Sequence, residues 1–358
     1  MIRFGLIGFG TIGALRAKAL RRTPGAELRM VVDPVPERRG EAAARFGVRV
    51  AAGIDDITRS EDIDAIIVST PPNLHRQHCA MALQAGKHVL CEKPLATTVQ
   101  DCRSIVEAAR RYRRTLGTGF NYRFYPAIAK ARELIAEGRI GELDHVKSFA
   151  GHPGGPEFTH QWVHDSTIMG GGALMDNGIH VADLTLHFLG EVLESHRYCT
   201  ERVWRFRGSE DNGYVLMRTS QGVVGMLHAS WTEWPGYRLS VDIYGTEGCI
   251  HVRYPPMATI LYERPLGSAK RGRRKIFFFP LFQVLERLRS YRWTIEKSFI
   301  AEQMDFINRL NGREGIGATG LDGLRAVEVA ASRDSNDEKF DDSCPEWAAP
   351  GKPSQQSK

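Results

Sequence analysis

The sequence is poor in cysteine and has no long hydrophobic run. Its six cysteines are scattered along 358 residues, and no two of them are separated by only two residues. This spacing disfavours a disulfide scaffold, a cysteine zinc site or a redox pair. No apolar segment is long enough to span a bilayer, and residues 1–5 show no signal-peptide pattern. We therefore expect a cytoplasmic protein.

The balance of charge is mildly basic, with a formal net charge of +6. Such a charge suits an anionic dinucleotide or a phosphorylated substrate, and it also suits nucleic acid or an acidic membrane. The sequence lacks helix-turn-helix, RNP and zinc-finger patterns, so we expect no nucleic-acid partner. The length, with 42% hydrophobic and 25% charged residues, is typical of a globular protein of two domains.

In the first third of the chain, short apolar runs alternate with helical patterns, which predicts a doubly wound parallel α/β sheet. The predicted strands are residues 2–7, 28–32, 48–51, 65–69, 88–91 and 116–119. The predicted helices are residues 12–22, 37–46, 74–85 and 99–112. We expect this first domain to cover residues 1–121.

After residue 121 the pattern changes to longer alternating strands separated by turns, which predicts an open, mostly antiparallel sheet. The predicted strands are residues 144–149, 195–206, 213–219, 223–230, 237–244 and 249–252, and the predicted helices are 127–137, 172–189, 295–310 and 321–332. We expect a second α/β domain over residues 122–332. Residues 333–358 are polar and contain proline, which predicts a disordered tail.

A glycine-rich turn connects the first strand to the first helix. It is the G-x-G-x-x-G sequence Gly8-Phe9-Gly10-Thr11-Ile12-Gly13, the fingerprint of a Rossmann dinucleotide-binding domain. Asp33 ends the second strand, where a carboxylate can hold the adenosine ribose hydroxyls. Such a carboxylate favours NAD over NADP. However, Arg38 and Arg39 follow closely and are an alternative that would hold the 2′-phosphate of NADP.

Two further turns follow predicted strands of the parallel sheet, at the edge where ligands bind in open α/β folds. The first contains Thr70, Pro71, Asn73 and His75, and the second contains Glu92, Lys93 and Pro94. We interpret these turns, apart from Pro94, as cofactor contacts. An ammonium at Lys93 can also stabilise a developing alkoxide, although a surface salt bridge is the simpler explanation of a single lysine.

Asp176 and His180 are four residues apart on a predicted helix and therefore share one face. An imidazole beside a carboxylate is suited to general acid–base catalysis. Asp183 and His187 extend the same side of the helix, so metal binding is a rival interpretation, and a buried structural histidine is another. No further ligand motif accompanies these residues, and we expect no metal.

Together, these motifs resemble the Gfo/Idh/MocA oxidoreductase family. The resemblance covers nearly the whole chain, through residues 8–13, 70–75, 85–94, 119–124, 138–142, 170–183 and 322–326. It implies NAD(P)-dependent hydride transfer at a secondary alcohol or ketone of a sugar, nucleotide sugar or cyclitol. It also implies Lys93, Asp176 and His180 as the catalytic set, and a homodimer or homotetramer formed through the open sheet.

The sequence departs from the family pattern in the substrate loop. Members often carry an arginine after the tryptophan that precedes the triple glycine, whereas here Val163 follows Trp162. A histidine is the available replacement, at position 152, 160 or 164. We expect the substrate contacts to be Tyr122, Arg123, Trp162 and Asp165.

Two other functions remain open from the sequence. Some relatives keep NAD bound and cleave a glycosidic bond without net oxidation, and a dinucleotide-sensing protein without catalysis is also possible. The segment 270–282 places a cationic run beside an aromatic run. It is either a solvated loop leading to a packing edge or a contact with an anionic membrane surface.

Overall fold

The computed structural model describes residues 1–154, 162–264 and 272–332, and these residues form two β-sheets with helices packed against them. His160, Lys270, Arg271 and the predicted disordered tail lie outside the described residues.

The first sheet has six parallel strands, in the order β3-β2-β1-β4-β5-β6. The strands are β1 Ile2–Ile7, β2 Ala26–Val32, β3 Arg49–Ala51, β4 Ala65–Val68, β5 His88–Cys91 and β6 Leu116–Thr118. Successive strands are added in one direction from β1 to β3 and in the other from β4 to β6, so the crevice at the carboxyl ends of β1 and β4 is the expected ligand site.

Helices cover both faces of this sheet. They are α1 Thr11–Leu20, α2 Pro36–Phe46, α3 Ile54–Thr58, α4 His75–Gln84 and α5 Val99–Arg111. Successive residues of β4 belong to different apolar clusters, with Ile67 packed on one face and Ile66 on the other. This double coverage explains why the strands are continuous apolar runs without alternation.

The second sheet has eight strands, in the order β14-β13-β12-β11-β7-β10-β9-β8. The strands are β7 Leu143–Gly151, β8 Val192–Thr200, β9 Asn212–Thr219, β10 Val224–Ser230, β11 Arg238–Gly245, β12 Gly248–Tyr254, β13 Ala258–Glu263 and β14 Arg273–Phe278. Only the β7–β10 pair is parallel. Burial alternates along β9, because one face packs on helices and the other is open.

The remaining α-helices of the described residues lie between residues 126 and 330. They are α6 Pro126–Ala136, α7 Ser166–Met169, α8 Ile179–Leu189, α9 Pro280–Arg289, α10 Arg292–Leu310 and α11 Gly320–Ala330. A π-helical turn, Leu174–Gly178, leads into α8. Helix α10 returns to the first sheet, where Phe306 packs against Phe4 with ring centroids 6.5 Å apart.

The predicted fold class is confirmed, with three local differences. The predicted strand 195–206 ends at Thr200, because the carboxylate of Asp211 accepts the N–H groups of Val203 and Trp204 and holds that segment in a turn. Within the predicted helix 172–189, residues 174–178 form a π-helical turn, and the regular α-helix begins at Ile179. Strands β13 and β14 and helices α3, α7 and α9 were not predicted. No helix among the described residues has the length and apolar character needed to cross a bilayer.

Candidate active site

The glycine turn leaves open space beside the start of α1. A side chain at Gly13 would place its Cβ 2.0 Å from Gly8 O, so this glycine permits the close approach of helix and strand. Gly10 is different, since a Cβ there would meet no atom within 4 Å. No side chain caps the N-terminus of α1, and Thr11 and Ile12 are exposed in its first turn. The residues therefore fit a dinucleotide, whose phosphates would occupy this space and accept the free N–H groups.

Asp33 fastens this turn to the end of β2. Its Oδ2 accepts the N–H of Phe9 at 2.7 Å, and its Oδ1 accepts the N–H of Val35 at 2.9 Å. The phenyl ring of Phe9 is buried against Phe46. The N–H of Phe9 is thus already used within the protein, as is that of Gly8, which donates to Val32 O at 2.8 Å.

The two arginines after Asp33 have different roles. Arg39 Nη1 donates to the carbonyl oxygens of Asp33 and Pro34, at 2.8 and 2.9 Å. Arg38 is half exposed, with its Nη1 at 3.6 Å from Asp33 Oδ2. Arg38 is therefore the cation beside the Asp33 carboxylate, and Arg39 supports the loop.

His75 joins the two turns that follow β4 and β5. Its ring is fully buried, with Nδ1 at 2.8 Å from Pro94 O and Nε2 at 2.8 Å from Thr70 O. Burial lowers the pKa of His75 and favours the neutral ring, which can donate to only one of these oxygens at a time. The ring of His75 exposes no surface to a ligand, and its expected cofactor contact remains a prediction. Pro71 is partly buried and Asn73 is exposed in the same turn.

Glu92 belongs to a buried cluster of three charged residues. Its Oε1 accepts from Arg16 Nε at 2.5 Å, and Arg16 also pairs with Glu302 of α10. The guanidinium lies 3.7 Å from the centroid of the Phe299 ring. Glu92 was predicted to contact the cofactor, but it is committed to Arg16 and anchors the turn that carries Lys93. Sequence reasoning missed Arg16 and Glu302.

The structure brings Lys93 and Asp176 together. Lys93 Nζ donates to the carbonyl oxygen of Asp176 at 2.7 Å and lies 3.5 Å from its Oδ1. The other carboxylate oxygen, Oδ2, lies 3.3 Å from His152 Nε2 and 3.2 Å from Trp231 Nε1. Burial alone would raise the pKa of Asp176, but Lys93, His152 and Trp231 outweigh it and hold the pKa well below its usual range. Asp176 is therefore ionised at neutral pH.

His180 lies in an aromatic environment, and only 7% of its surface is exposed. The ring stacks on Tyr122, with centroids 3.9 Å apart, and meets the ring of Phe120 edge to face. Its Nδ1 is buried and has no hydrogen-bond partner among the described residues. Burial and then the nearby ammonium of Lys93 lower the pKa of His180 well below its usual range. The imidazole is neutral at pH 7 and able to accept a proton.

Glu210 holds the start of the segment that carries Asp176 and His180. Its two carboxylate oxygens accept the N–H groups of Gly172 and Leu174, each at 2.8 Å. A Cβ at Gly172 would lie 2.3 Å from the backbone of Glu210, so only glycine fits there. Sequence reasoning missed this buried acid, which caps the π-helical turn.

Arg123 is paired with acidic residues inside the protein. It is buried, and its Nε and Nη2 donate to the two carboxylate oxygens of Asp183 at 2.9 and 2.5 Å. Asp322 lies 3.4 Å away. This buried pairing uses its guanidinium to join α8 to α11, and the expected substrate contact of Arg123 remains a prediction. Because Asp183 is paired with Arg123, its carboxylate is not available for the alternative metal site. Among the described residues, no three or more His, Cys, Asp or Glu side chains are grouped so that they could hold a metal ion.

The other expected substrate contacts lie in different settings. Tyr122 covers one face of His180, and its hydroxyl is 2.8 Å from that of Tyr237, a residue that sequence reasoning missed. Trp162 is exposed, and Asp165 caps α7 by accepting the N–H of Thr167. Of the histidines considered as replacements for the arginine, His152 reaches Asp176, whereas His164 stacks on Phe206.

The parallel sheet and the open space at Gly10 define a dinucleotide-binding protein. Residues 2–120 match the family model described as an oxidoreductase family with an NAD-binding Rossmann fold. Residues 128–251 match the C-terminal domain of the same family. Since these matches cover more than half of the chain, the protein belongs to the GFO/IDH/MocA oxidoreductase family. The predictions of the family, of an enzyme and of NAD are confirmed.

Individual relatives agree with this assignment. The chain is 30% identical over 333 residues to inositol 2-dehydrogenase of Rhizobium meliloti, covering 92% of this chain and 94% of that protein. It is 27% identical over 345 residues to myo-inositol 2-dehydrogenase of Thermotoga maritima, covering 94% and 97% of the two chains. A structure of levoglucosan dehydrogenase in complex with NADH superimposes with a TM-score of 0.80 at 25% identity, covering 92% of this chain and 95% of that chain.

Proposed function

We propose that the protein transfers hydride between a nicotinamide dinucleotide and a secondary alcohol or ketone of a sugar, nucleotide sugar or cyclitol. The observation that carries this proposal is a buried histidine of lowered pKa on the same helical segment as Asp176, which Lys93 contacts. The names of the relatives, which include inositol and levoglucosan dehydrogenases, support this substrate class.

In this proposal the cofactor is held by residues of the first sheet. The free N–H groups at the start of α1 donate hydrogen bonds to the pyrophosphate beside Gly10, and the carboxylate of Asp33 accepts from the hydroxyls of the adenosine ribose. The bound dinucleotide supplies the nicotinamide ring that accepts or donates hydride. The charge of Asp33 favours NAD over NADP, because it would repel a 2′-phosphate.

His180 acts as the general base in the oxidation direction. Its lowered pKa keeps the imidazole neutral, so it can take the hydroxyl proton as hydride leaves the same carbon. Stacking on Tyr122 fixes the plane of the ring and therefore the direction in which its nitrogen presents a lone pair. In the reduction direction the same nitrogen returns the proton.

Lys93 stabilises the oxygen that gains negative charge. One of its N–H groups is held by the carbonyl oxygen of Asp176, which leaves others to meet a substrate oxygen. The carboxylate of Asp176 stays ionised, positions the ammonium and keeps His152 and Trp231 beside it. Removing such a stabilising donor lowers kcat by roughly a hundredfold or more.

Activity measurements test these roles. NADH formation is followed by absorbance with a panel of cyclitols, anhydrosugars and nucleotide sugars. Once a substrate is found, Lys93→Ala and His180→Ala should each lose at least roughly a hundredfold in kcat, while Arg110→Gln on the exposed surface of α5 should not. Near-normal kcat in either alanine variant would refute the assigned roles.

The same panel separates the alternatives. A redox-neutral glycoside-cleaving enzyme would release products without accumulating NADH. A dinucleotide sensor would bind NADH and turn over none of the compounds. Either outcome would refute the proposed net oxidation.

Trp162 and His152 are the best-supported candidates for substrate contacts beyond the catalytic set. Trp162 presents an exposed indole near the start of α7, and His152 adjoins the carboxylate of Asp176. Aromatic rings and imidazoles both suit a polyol, since one covers its C–H faces and the other bonds its hydroxyls. Trp162→Ala and His152→Ala should raise KM for the substrate more than for NAD.

We also propose that the protein is a homo-oligomer assembled through the open face of the second sheet. Leu216 of β9 lies opposite Met226 of β10, with Tyr214 and Val224 nearby, and all four side chains are exposed. Such a contiguous apolar patch is typical of a protein interface. Leu216→Lys combined with Met226→Lys should lower the mass measured by light scattering, and a wild-type monomer would contradict the proposal.

A further inference from the structure

Helix α9 presents an apolar stripe to solvent. The stripe consists of Leu281, Val284 and Leu288, which are 62%, 53% and 75% exposed. Their spacing of three and four residues places them on one side of the helix. Aliphatic side chains exposed to this extent on one helix face are a costly surface unless something covers them.

The opposite side of α9 is fixed to the protein. Phe282 packs edge to face on Trp293, with ring centroids 5.0 Å apart. Glu286, the only acid of the helix, accepts from Tyr254 Oη at 2.7 Å and from Thr294. The exposed side of α9 therefore carries apolar side chains and arginines without a carboxylate of its own.

A set of cations, which we call the basic rim, begins where the stripe ends, since Arg289 directly follows Leu288 at the end of α9. Lys18 and Arg22 of α1 share one concavity with Arg289 and Arg292, next to Trp293 and Glu296. A neighbouring concavity is also lined by Lys18 and Arg22. The basic rim consists of Lys18, Arg21, Arg22, Arg45, Arg289 and Arg292. Two nearby carboxylates offset part of this charge, Glu296 with Lys18 and Arg22, and Glu41 with Arg45.

We propose that the apolar stripe and the basic rim form a docking surface for an anionic phospholipid bilayer. The stripe would enter the boundary between headgroups and acyl chains, and the rim would contact the anionic headgroups. The two parts act together, because the strength of interfacial binding scales with the buried apolar area plus the electrostatic attraction to anionic lipids.

The charge distribution favours a bilayer over a second copy of the chain. Two copies meeting face to face through the stripe would bring their basic rims together, and like charges at such a contact repel. Nucleic acid would satisfy the cations but would leave the apolar stripe without a function. An anionic bilayer satisfies both features.

Cosedimentation of the full chain with vesicles tests the proposal. Vesicles of phosphatidylcholine and phosphatidylglycerol in a three-to-one ratio are compared with vesicles of phosphatidylcholine alone. We expect binding only to the anionic vesicles, weakening as salt is added because surface charges are screened. No binding to the anionic vesicles at low salt would overturn the proposal.

Paired variants separate the two contributions. Leu281→Gln with Leu288→Gln, and Arg289→Gln with Arg292→Gln, should each weaken binding at least about tenfold. Arg110→Gln with Arg111→Gln removes the same net charge from α5, which covers the other face of the first sheet, and should leave binding unchanged. Unchanged NADH binding and thermal unfolding establish that each variant is folded.

Three further outcomes would overturn the proposal. Equal losses in the α5 control would show a non-specific charge effect, and undiminished binding in the leucine variant would show that the stripe is not used. If the leucine variant instead lowers the oligomeric mass and the wild type ignores vesicles, the stripe is a contact between copies of the chain.

Discussion

The buried cluster of Arg16, Glu92 and Glu302 predicts a specific dependence of stability on pH. One guanidinium serves two carboxylates, those of Glu92 and Glu302, so the cluster carries an excess negative charge when both are ionised. Burial, opposed by Arg16 and reinforced by Glu92, raises the pKa of Glu302 to about 7. Its Oε1 is buried without a hydrogen-bond partner among the described residues, which gives a proton a place to reside.

The magnitude follows from the difference between the folded and unfolded states. A pKa raised from 4.5 to about 7 corresponds to about 3 kcal/mol. Between these values the folded protein retains the proton of Glu302, whereas the unfolded chain has lost it. Stability from this group is therefore complete below pH 4.5 and is lost as the pH rises towards 7.

Urea unfolding across this pH range measures the effect. Glu302→Gln has no proton to lose, so its free energy of unfolding relative to wild type should rise by about 3 kcal/mol between pH 4.5 and 7. Glu296→Gln is the matched control, because Glu296 is also buried on α10 and pairs with Lys18 and Arg22 of α1. This control should keep the wild-type decline. Parallel curves for wild type and Glu302→Gln would refute the reasoning.

Three other predictions concern the cofactor and the base. Gly10→Ala fills open space and should weaken NADH binding, measured by calorimetry, roughly tenfold at unchanged melting temperature. Gly13→Ala meets Gly8 O and should lower the melting temperature, measured by scanning fluorimetry, by several degrees. Equal losses of melting temperature in the two variants would contradict this distinction. Asp33→Asn keeps the shape of the side chain but removes its charge. The ratio of kcat/KM for NADP to kcat/KM for NAD should therefore rise at least about tenfold. An unchanged ratio would show that Asp33 does not select the cofactor. In Lys93→Met, NMR of the imidazole should show that the pKa of His180 rises but stays below the ordinary histidine value, because burial lowers this pKa more than Lys93 does. A pKa of His180 unaffected by the loss of Lys93 would exclude electrostatic coupling between the two residues.

The sequence is informative where one short segment carries its own signal. The glycine turn lies between an apolar strand and a helix, and the structure places it at the crevice between β1 and β4. Lys93 and Asp176 were also proposed as one set, and they are in contact. The assigned roles of these residues remain predictions.

The sequence is less informative where a side chain has a distant partner. Arg123 and His75 occupy family motifs, but nothing in those motifs shows that Asp183 and the carbonyl oxygen of Pro94 already bind them. Glu210 and Glu302 meet their partners across 38 and 286 positions of the chain. Local patterns cannot reveal such pairs, because they depend on packing between elements that are remote in sequence.

The return of α10 to the first sheet has a consequence for how the protein is made. Phe306 and Ile307 complete the apolar cluster that contains Phe4 and Leu6, and Gln303 donates to the carbonyl oxygen of Arg16. A ribosome therefore releases the dinucleotide-binding sheet long before it synthesises the helix that seals one face of it. We expect the nascent sheet to keep an exposed apolar surface until α10 emerges from the ribosome. During that interval a chaperone can bind the exposed surface.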